Sequence, residues 1–216
     1  TPIKSSAASD VYKRQLGKLG IQIKKDQMMT SSHVIVKYLK EHYEGKSIYV
    51  LGTQSLIQEF QYFDMNLTEE DPDIVVLGFD TTLTYEKLSK ACHYIRNGCI
   101  YFGINPDWNC PMEGGAFIPD CGSIAKLIEA STGRFPEFFG KPSKHTLDYI
   151  IQETGYEPDE IAIVGDRLYT DIAVADQSDV MSILVLSGES TREDVKTSDV
   201  KPNVILEDLS EITKML

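Results

Sequence analysis

Past residue 16 the chain alternates between two hydrophobic patterns. Short, unbroken apolar runs read as buried strands: SIYVLG (47–52), DIVVLGFD (73–80), CIYFGIN (99–105), EIAIVGD (160–166), MSILVLSG (181–188) and PNVILEDL (202–209). Between them, apolar residues recur at helical spacing. QSLIQEFQYF follows the first run, and TYEKLSKACHYIRNG (84–98) puts Leu88, Ala91, Cys92 and Ile95 on one face. CGSIAKLIEASTG (121–133), SKHTLDYIIQETG (143–155) and a closing SEITKML read the same way, and SSHVIVKYL, from Ser31, opens another helix. Ser143 is a natural N-cap, and Asn97-Gly98 and Gly133 are natural stops. Strands that stay apolar without alternating belong to parallel sheets covered on both faces, so the fold class is α/β. No internal repeat is visible. The long Pro- and Gly-rich stretch 105–120 reads as a loop of the functional kind.

Composition narrows the functional classes. The 216 residues suffice for one large or two small domains, and 42% hydrophobic with 25% charged residues is ordinary for a globular chain. The net charge is −12 and no basic cluster interrupts it, which argues against nucleic acid as a partner. No run approaches a membrane span and no signal-peptide core opens the chain, so the reading is cytoplasmic, with no membrane partner. Cys92, Cys99, Cys110 and Cys121 form no C-x-x-C pair and read as reduced thiols. His33, His42, His93 and His145 are scattered and read as surface or satisfied residues rather than ligands.

The candidate chemistry sits in AIVGDRLYTDIA (162–173), where an apolar strand ends in Gly165 and Asp166, and Asp171 follows across a turn that opens a helix. A carboxylate at a strand's C-terminal end faces the usual ligand side of an α/β sheet. Two of them suggest a hard cation such as Mg²⁺, which takes oxygen ligands.

Several segments occur in one order: VVLGFDTTLTYEKL, NPDWNCP, IEASTG, GKPS, VGDRLYTDIA and VLSGESTREDV. Together they resemble the haloacid dehalogenase (HAD) superfamily in its NagD-like, para-nitrophenyl-phosphatase-like subfamily, from about Leu16 to Leu216. The resemblance implies a HAD-like, Rossmannoid, doubly wound parallel sheet with a second α/β cap domain. The cap would cover 46–134, and an incomplete core 16–45 and 135–216. It implies a Mg²⁺-dependent phosphatase of a small phosphorylated metabolite. Lys141, in GKP, matches the family's third motif, and Asp166 and Asp171 match its fourth, acidic metal motif. Lys141 and Asp166 are the catalytic candidates, and Asp166 and Asp171 the metal candidates. Asp171 would hold metal waters or Lys141 itself. The turn Arg167–Thr170 would face the phosphate. Asn105 and Asp107, with Gly114 and Gly115 in the cap loop, would meet the substrate. The residue types make physical sense. Like charges ~4 Å apart repel by ~4 kcal/mol at an effective dielectric of ~20. A metal at Asp166 and a fixed ammonium on Lys141 would relieve that repulsion for an anionic nucleophile meeting a phosphate. The competing readings are a solvated lysine at 141 and a plain helix N-terminal acid at 171.

The nucleophile motif of the family, D-x-D-G-T, is absent. Asp80 follows a strand, but Thr82 stands where the second aspartate belongs and the segment matches the family's cap. SSHVIVKYL does not supply the family's phosphate-binding Ser or Thr motif either. The stretch SSAASDVYKRQ (5–15) matches, codon by codon, a translated frame of a transposase adapter used in DNA-sequencing libraries. Residues 1–15 are therefore expected to be non-native and to lack packing against the rest. The chain reads as a member of the family without its first two motifs, inactive as it stands. The strand ending at Asp166 would be left with an open edge, which invites association into a homo-oligomer. The rival reading is a non-catalytic phosphate- or nucleotide-binding α/β module, and a receiver-like signalling domain is a weaker one. ADQSDVMS also departs from the family in lacking a small Gly turn before the next strand.

Overall fold

The computed structural model describes residues 13, 16–18, 20–24 and 27–214. The expectation for the tail 1–15 falls outside the described residues, Lys13 excepted. The chain divides into two compact units between Gly140 and Lys141.

The first unit holds α1 (Ser31–His42), β1 (Ile48–Leu51), α2 (Gln54–Tyr62), β2 (Ile74–Leu77), α3 (Tyr85–Arg96), β3 (Ile100–Gly103), β4 (Asn109–Pro111), β5 (Phe117–Pro119), α4 (Cys121–Thr132) and β6 (Glu137–Phe138). Among the described residues, β1, β2, β3 and β6 form one parallel sheet in that order. β1 and β2 are buried along their whole length, which is why they read as unbroken apolar runs. Alternation sends Tyr49, Leu51, Val75, Leu77 and Tyr101 to one face. There they cluster with Ala91, Cys92 and Ile95 of α3 and Ile124, Ala125 and Ile128 of α4. On the other face Phe102 packs edge-on against Tyr38 of α1 and against Phe139. Fully burying one Leu, Ile or Phe side chain contributes roughly 1.5–3 kcal/mol, so these two layers dominate the unit's stability.

The helix starts follow the sequence. Thr30, Thr53 and Thr84 each accept a backbone N–H in the first turn of α1, α2 and α3, and Asp120 caps α4. Gly133 ends α4 in the left-handed conformation. The stretch 105–120 is more than a loop. β4 and β5 pair antiparallel around Gly114 and Gly115, both at φ +80, which only glycine adopts freely. The packing division differs from the one expected from the family at 45/46 and 134/135. α1 packs on the first unit's sheet through Tyr38, and β6 extends that sheet past residue 134.

The second unit holds α5 (Lys144–Thr154), β7 (Ala162–Gly165), β8 (Met181–Val185), α6 (Arg192–Thr197) and β9 (Val204–Leu206). The strands are parallel in the order β7-β8-β9. Leu147 of α5 packs with Val174, Ala175 and Val180, and Leu168 and Ile172 pack with Leu184 of β8. The run 160–166 reads as buried from its apolar residues alone, while the absent first motif leads one to expect an open edge beside it. β7 lies at an edge with no strand on its far side among the described residues, and Val164 is 39% exposed. An edge strand keeps one flank and part of its side chains in solvent.

The expected helix after Asp166 is also corrected. Leu168–Ile172 forms a π-helical turn, closed by Ile172 N–H donating to the Arg167 carbonyl, and Ala173–Ala175 continues as a 3₁₀ turn. Gln177 then turns the chain at φ +58, where the sequence lacks the glycine that suits this conformation. The closing helix expected at 210–216 is a 3₁₀ helix over Leu209–Lys214, with 215 and 216 outside the described residues. α6 is signalled by a capping box that the apolar pattern does not reveal, Thr191 with Asp194. None of Cys92, Cys99, Cys110 and Cys121 is in a disulfide. No helix among the described residues is long and apolar enough to cross a membrane.

Two predictions follow from local geometry. A non-glycine residue in the left-handed region costs on the order of 1–2 kcal/mol. Gln177→Gly should therefore stabilise the protein by about 1 kcal/mol, read as a raised urea midpoint at unchanged slope. An unchanged or lowered midpoint would show that the Gln177 side chain compensates for its backbone. The second concerns Asp73, which ties the entry of β2 to the entry of β1. It accepts from the Lys46 ammonium and from the Ser47 amide and hydroxyl, all at 2.9 Å. These bonds, Lys46 first, pull its pKa from the ordinary 3.8 down to about 2. A depressed carboxylate stabilises the fold above its unfolded value and loses that contribution as pH falls through the folded one. Asp73→Asn should lower the melting temperature at neutral pH, and the gap to the wild type should close toward pH 2. A gap that persists unchanged in acid would rule out this charge as the cause.

Candidate active site

The site is built at the C-terminal end of β7, from three segments of the second unit. Asp171, buried in the π-helical turn, is its centre. Its Oδ1 pairs with the Lys141 ammonium, and its Oδ2 accepts from the Arg167 amide at 3.2 Å. Its side chain lies against Gly165 so closely that a Cβ on that glycine would sit 2.2 Å from the Asp171 Cβ. Asp171 thus rests against the two residues that flank Asp166 in sequence. Lys141 is half exposed. The pair's own contribution to stability is therefore modest, about 1 kcal/mol or less. Its effect is geometric, because it fixes an otherwise flexible ammonium beside the strand end.

Asp166 is held from a third segment, just past β8. Its Oδ2 accepts from the Glu189 amide at 2.9 Å, and its carbonyl accepts from the Ser190 amide at 3.0 Å. The buried Ser190 hydroxyl accepts from the Leu168 amide at 3.1 Å. A Cβ on Gly188 would stand 2.2 Å from Asp166 Oδ2, so this position admits nothing larger than glycine without moving the carboxylate. Asp166 Oδ1 accepts no hydrogen bond among the described residues and is partly exposed. Among those residues no three acidic, His or Cys side chains cluster as a ready-made metal cage. Mg²⁺ rarely needs one, since it keeps several waters and takes one or two carboxylates plus substrate phosphate. The open Oδ1 of Asp166 fits that role. Both oxygens of Asp171 already have partners. Of the two tasks expected for Asp171, the geometry displays the pairing with Lys141.

The other candidates fall in different surroundings. Arg167 Nε pairs with Glu189 at 2.7 Å, and Glu189 also accepts from the Tyr169 hydroxyl at 2.5 Å. Thr170 is buried. Neither side chain is open in the way expected of a turn that faces a phosphate. Asn105 and Asp107 belong to the first unit. Asn105 Nδ2 donates to Asp107 at 2.9 Å and to Asp120 at 3.2 Å, so the amide is clamped between two carboxylates. Burial raises the pKa of Asp120. Asp80 is buried and fully engaged. Its Oδ1 accepts from the Thr82 amide and hydroxyl, and its Oδ2 from Lys87, which also reaches the Gly52 carbonyl at 3.0 Å. It is a structural tie between the loops after β1 and β2, which agrees with its exclusion as a nucleophile. Gly188, Glu189 and Ser190 are absent from the sequence-derived candidates. Their signal was a glycine shortly after a buried strand, in VLSGES.

Comparison with known proteins gives consistent results. A haloacid dehalogenase-like hydrolase family model matches residues 4–66, and a HAD-hydrolase-like model matches 138–212. The acid sugar phosphatase of Staphylococcus epidermidis is 34% identical over 197 residues, covering 91% of this chain and 76% of that protein. The 4-nitrophenylphosphatase of Thermotoga maritima is 40% identical, with a TM-score of 0.90 over 98% of this chain and 81% of its own. NagD from E. coli is 29% identical, with a TM-score of 0.87 over 97% of this chain and 81% of its own. With the strand-end acid, the tethered lysine and the glycine-lined turn in place, the chain belongs to the haloacid dehalogenase-like hydrolases, among the NagD and para-nitrophenyl-phosphatase-like phosphatases.

Proposed function

We propose that this chain carries the lysine and metal-acid side of a phosphomonoester hydrolase site that acts on a small phosphorylated metabolite. The observation that supports this most is the Lys141–Asp171 pair set against Gly165 and Arg167, directly beside Asp166. Lys141 would offer a fixed positive charge to the phosphate, worth ~4 kcal/mol at ~4 Å and an effective dielectric of ~20. Asp171 would hold that ammonium in place. Asp166 would hold Mg²⁺ through Oδ1, and the metal would neutralise charge on the phosphate. Arg167 and Thr170 would act on the phosphate only indirectly, through the turn they share with Asp171. In this reading residues 46–134 form the cap, and Asn105 and Asp107 contact the alcohol half of the substrate.

The reading includes inactivity of the chain as it stands. The covalent route needs a positioned aspartate, and D-x-D-G-T is absent. That absence also favours a second reading, a phosphate-binding module without turnover. β7 has no strand on its outer side among the described residues.

The chain should not hydrolyse 4-nitrophenyl phosphate above background. Joining a family segment with D-x-D-G-T ahead of Leu16, in place of residues 1–15, should give Mg²⁺-dependent turnover. In that repaired protein Asp166→Asn should lower kcat by roughly 100-fold or more, the scale for losing one electrostatic contact to the transition state. Lys141→Met should do the same. Phosphate binding without turnover in the repaired protein would instead support the binding module. Robust hydrolysis by the unrepaired chain that Asp80→Asn removes would overturn the whole assignment.

A further inference from the structure

The C-terminal end of α3 carries chemistry that the phosphatase reading does not use. Asn97 ends the helix and Gly98 follows at φ +99, both exposed. Of the chain's five asparagines, Asn97 alone precedes glycine. Asn105 precedes Pro106, which has no N–H, and Asn66, Asn109 and Asn203 precede residues whose side chains crowd the following amide. A Cβ at Gly98 would meet no atom within 4 Å, so water reaches this peptide bond freely.

An Asn-Gly bond exposes the side-chain amide to attack by the next backbone nitrogen, because glycine has no Cβ to block the approach. Gly98 N would join Asn97 Cγ in a five-membered succinimide ring, an intramolecular attack favoured by proximity. Water takes the Gly98 proton, the Cγ–Nδ2 bond breaks, and the departing nitrogen needs a proton to leave as ammonia. A second water opens the ring to aspartate or isoaspartate. The balance is amide plus water giving acid plus ammonia.

His93 stands at the leaving group. Its Nε2 lies 3.0 Å from Asn97 Nδ2, one helical turn back, and its ring packs edge-on against Tyr94 at 5.7 Å. Once Gly98 N has attacked, Nδ2 regains a lone pair, and a proton on His93 Nε2 is within its reach. The folded backbone holds the reaction back. Asn97, at ψ 4, turns Gly98 N away from Cγ, and the Gly98 N–H donates to the Ile95 carbonyl at 3.2 Å. Ring closure therefore waits on opening of the last turn, where helices fray.

The product alters a tie between elements. Arg134 Nη1 donates to the Ile95 and Cys99 carbonyls, both at 2.8 Å, and so spans the turn from α3 into β3. Isoaspartate at 97 would add a backbone methylene between those two carbonyls. We propose that Asn97–Gly98 is a self-modifying site, deamidated through a succinimide with His93 as proton donor, and that isoaspartate there loosens the Arg134 tie. This chemistry stands apart from the phosphatase site, which is built from the second unit.

The full chain, kept in warm neutral H₂¹⁸O buffer and then digested in ordinary water, should take up ¹⁸O at residue 97. The label should divide between aspartate and isoaspartate peptides, and the peptides holding the other four asparagines should stay unlabelled. Asn97→Gln should take up none, since a six-membered ring closes far more slowly. His93→Phe should slow labelling about tenfold, below the factor of a rigidly placed general acid because His93 is exposed. In urea, with the helix gone, wild type and His93→Phe should label at one rate, which separates a placed proton donor from a plain sequence effect. Labelled protein should melt lower than fresh protein, and Arg134→Met should shrink that gap. A folded chain that stays unlabelled at 97 while its urea-unfolded form labels would overturn the proposal. So would a folded His93→Phe variant that labels as fast as wild type, or a melting temperature unchanged by complete labelling.

Discussion

The Asp171 carboxylate is the tie on which the second unit's site depends. One side chain joins Lys141 before α5, the Arg167 amide after β7, and the backbone of Gly165 within β7. None of these contacts is strong alone, since a half-exposed lysine keeps its ion pair in screened surroundings. Their value is that they converge. The turn after β7 widens to a π-helical one as the Asp171 side chain reaches back to Arg167, and Lys141 is drawn to the same place. Asp166 is then positioned by default, with the segment 188–190 closing on it from the end of β8. Gly165 and Gly188 matter for the room they leave, because a methyl group at either would occupy the space of a carboxylate.

The first unit solves a different problem with similar parts. Its parallel strands end at one edge, where backbone and loops leave polar groups to satisfy. Asp80, buried, and Lys87, partly exposed, meet there as a hydrogen-bonded pair that also takes up the Gly52 carbonyl. Both Asp80 oxygens are taken up by Thr82 and Lys87, which makes it a firm tie and a poor nucleophile. Glu59, in α2, has only His33 Nε2 at 3.5 Å from its buried Oε1, beyond hydrogen-bond geometry. Two buried acids of the first unit thus differ: Asp80 is engaged at both oxygens, whereas Glu59 Oε1 has only the longer ion-pair contact to His33.

Much of this was legible in the chain. The α/β class followed from apolar runs without alternation, and the helix starts at Thr30, Thr53, Thr84, Asp120 and Ser143 rest on side chains that can accept a backbone N–H. Lys141, Asp166 and Asp171 stood out because GKP and GDRLYTD occur in the right order. The weaker readings share a cause. β7 reads as a buried run because its residues are apolar, and the open edge was suggested only by the absence of D-x-D-G-T, since burial depends on a neighbouring strand that periodicity alone cannot contain. The hairpin of β4 and β5, β6 and the short helix α6 are too brief to show a period.

The sequence by itself determined which residues could do chemistry and which segments would be strands or helices, because periodicity, capping and charge are local properties. It also determined that D-x-D-G-T is missing. Only the tertiary structure decided which carboxylates remain available. Asp80 is spent on Lys87 and Thr82, Asp171 on Lys141 and the Arg167 amide, while Asp166 keeps Oδ1 and Glu59 Oε1 has only the longer contact to His33. The physical reason is that hydrogen-bond satisfaction is a property of neighbours in space. The partners of Asp80 lie within seven residues along the chain, those of Asp171 up to thirty away, and the longer contact at Glu59 arises where α1 and α2 meet.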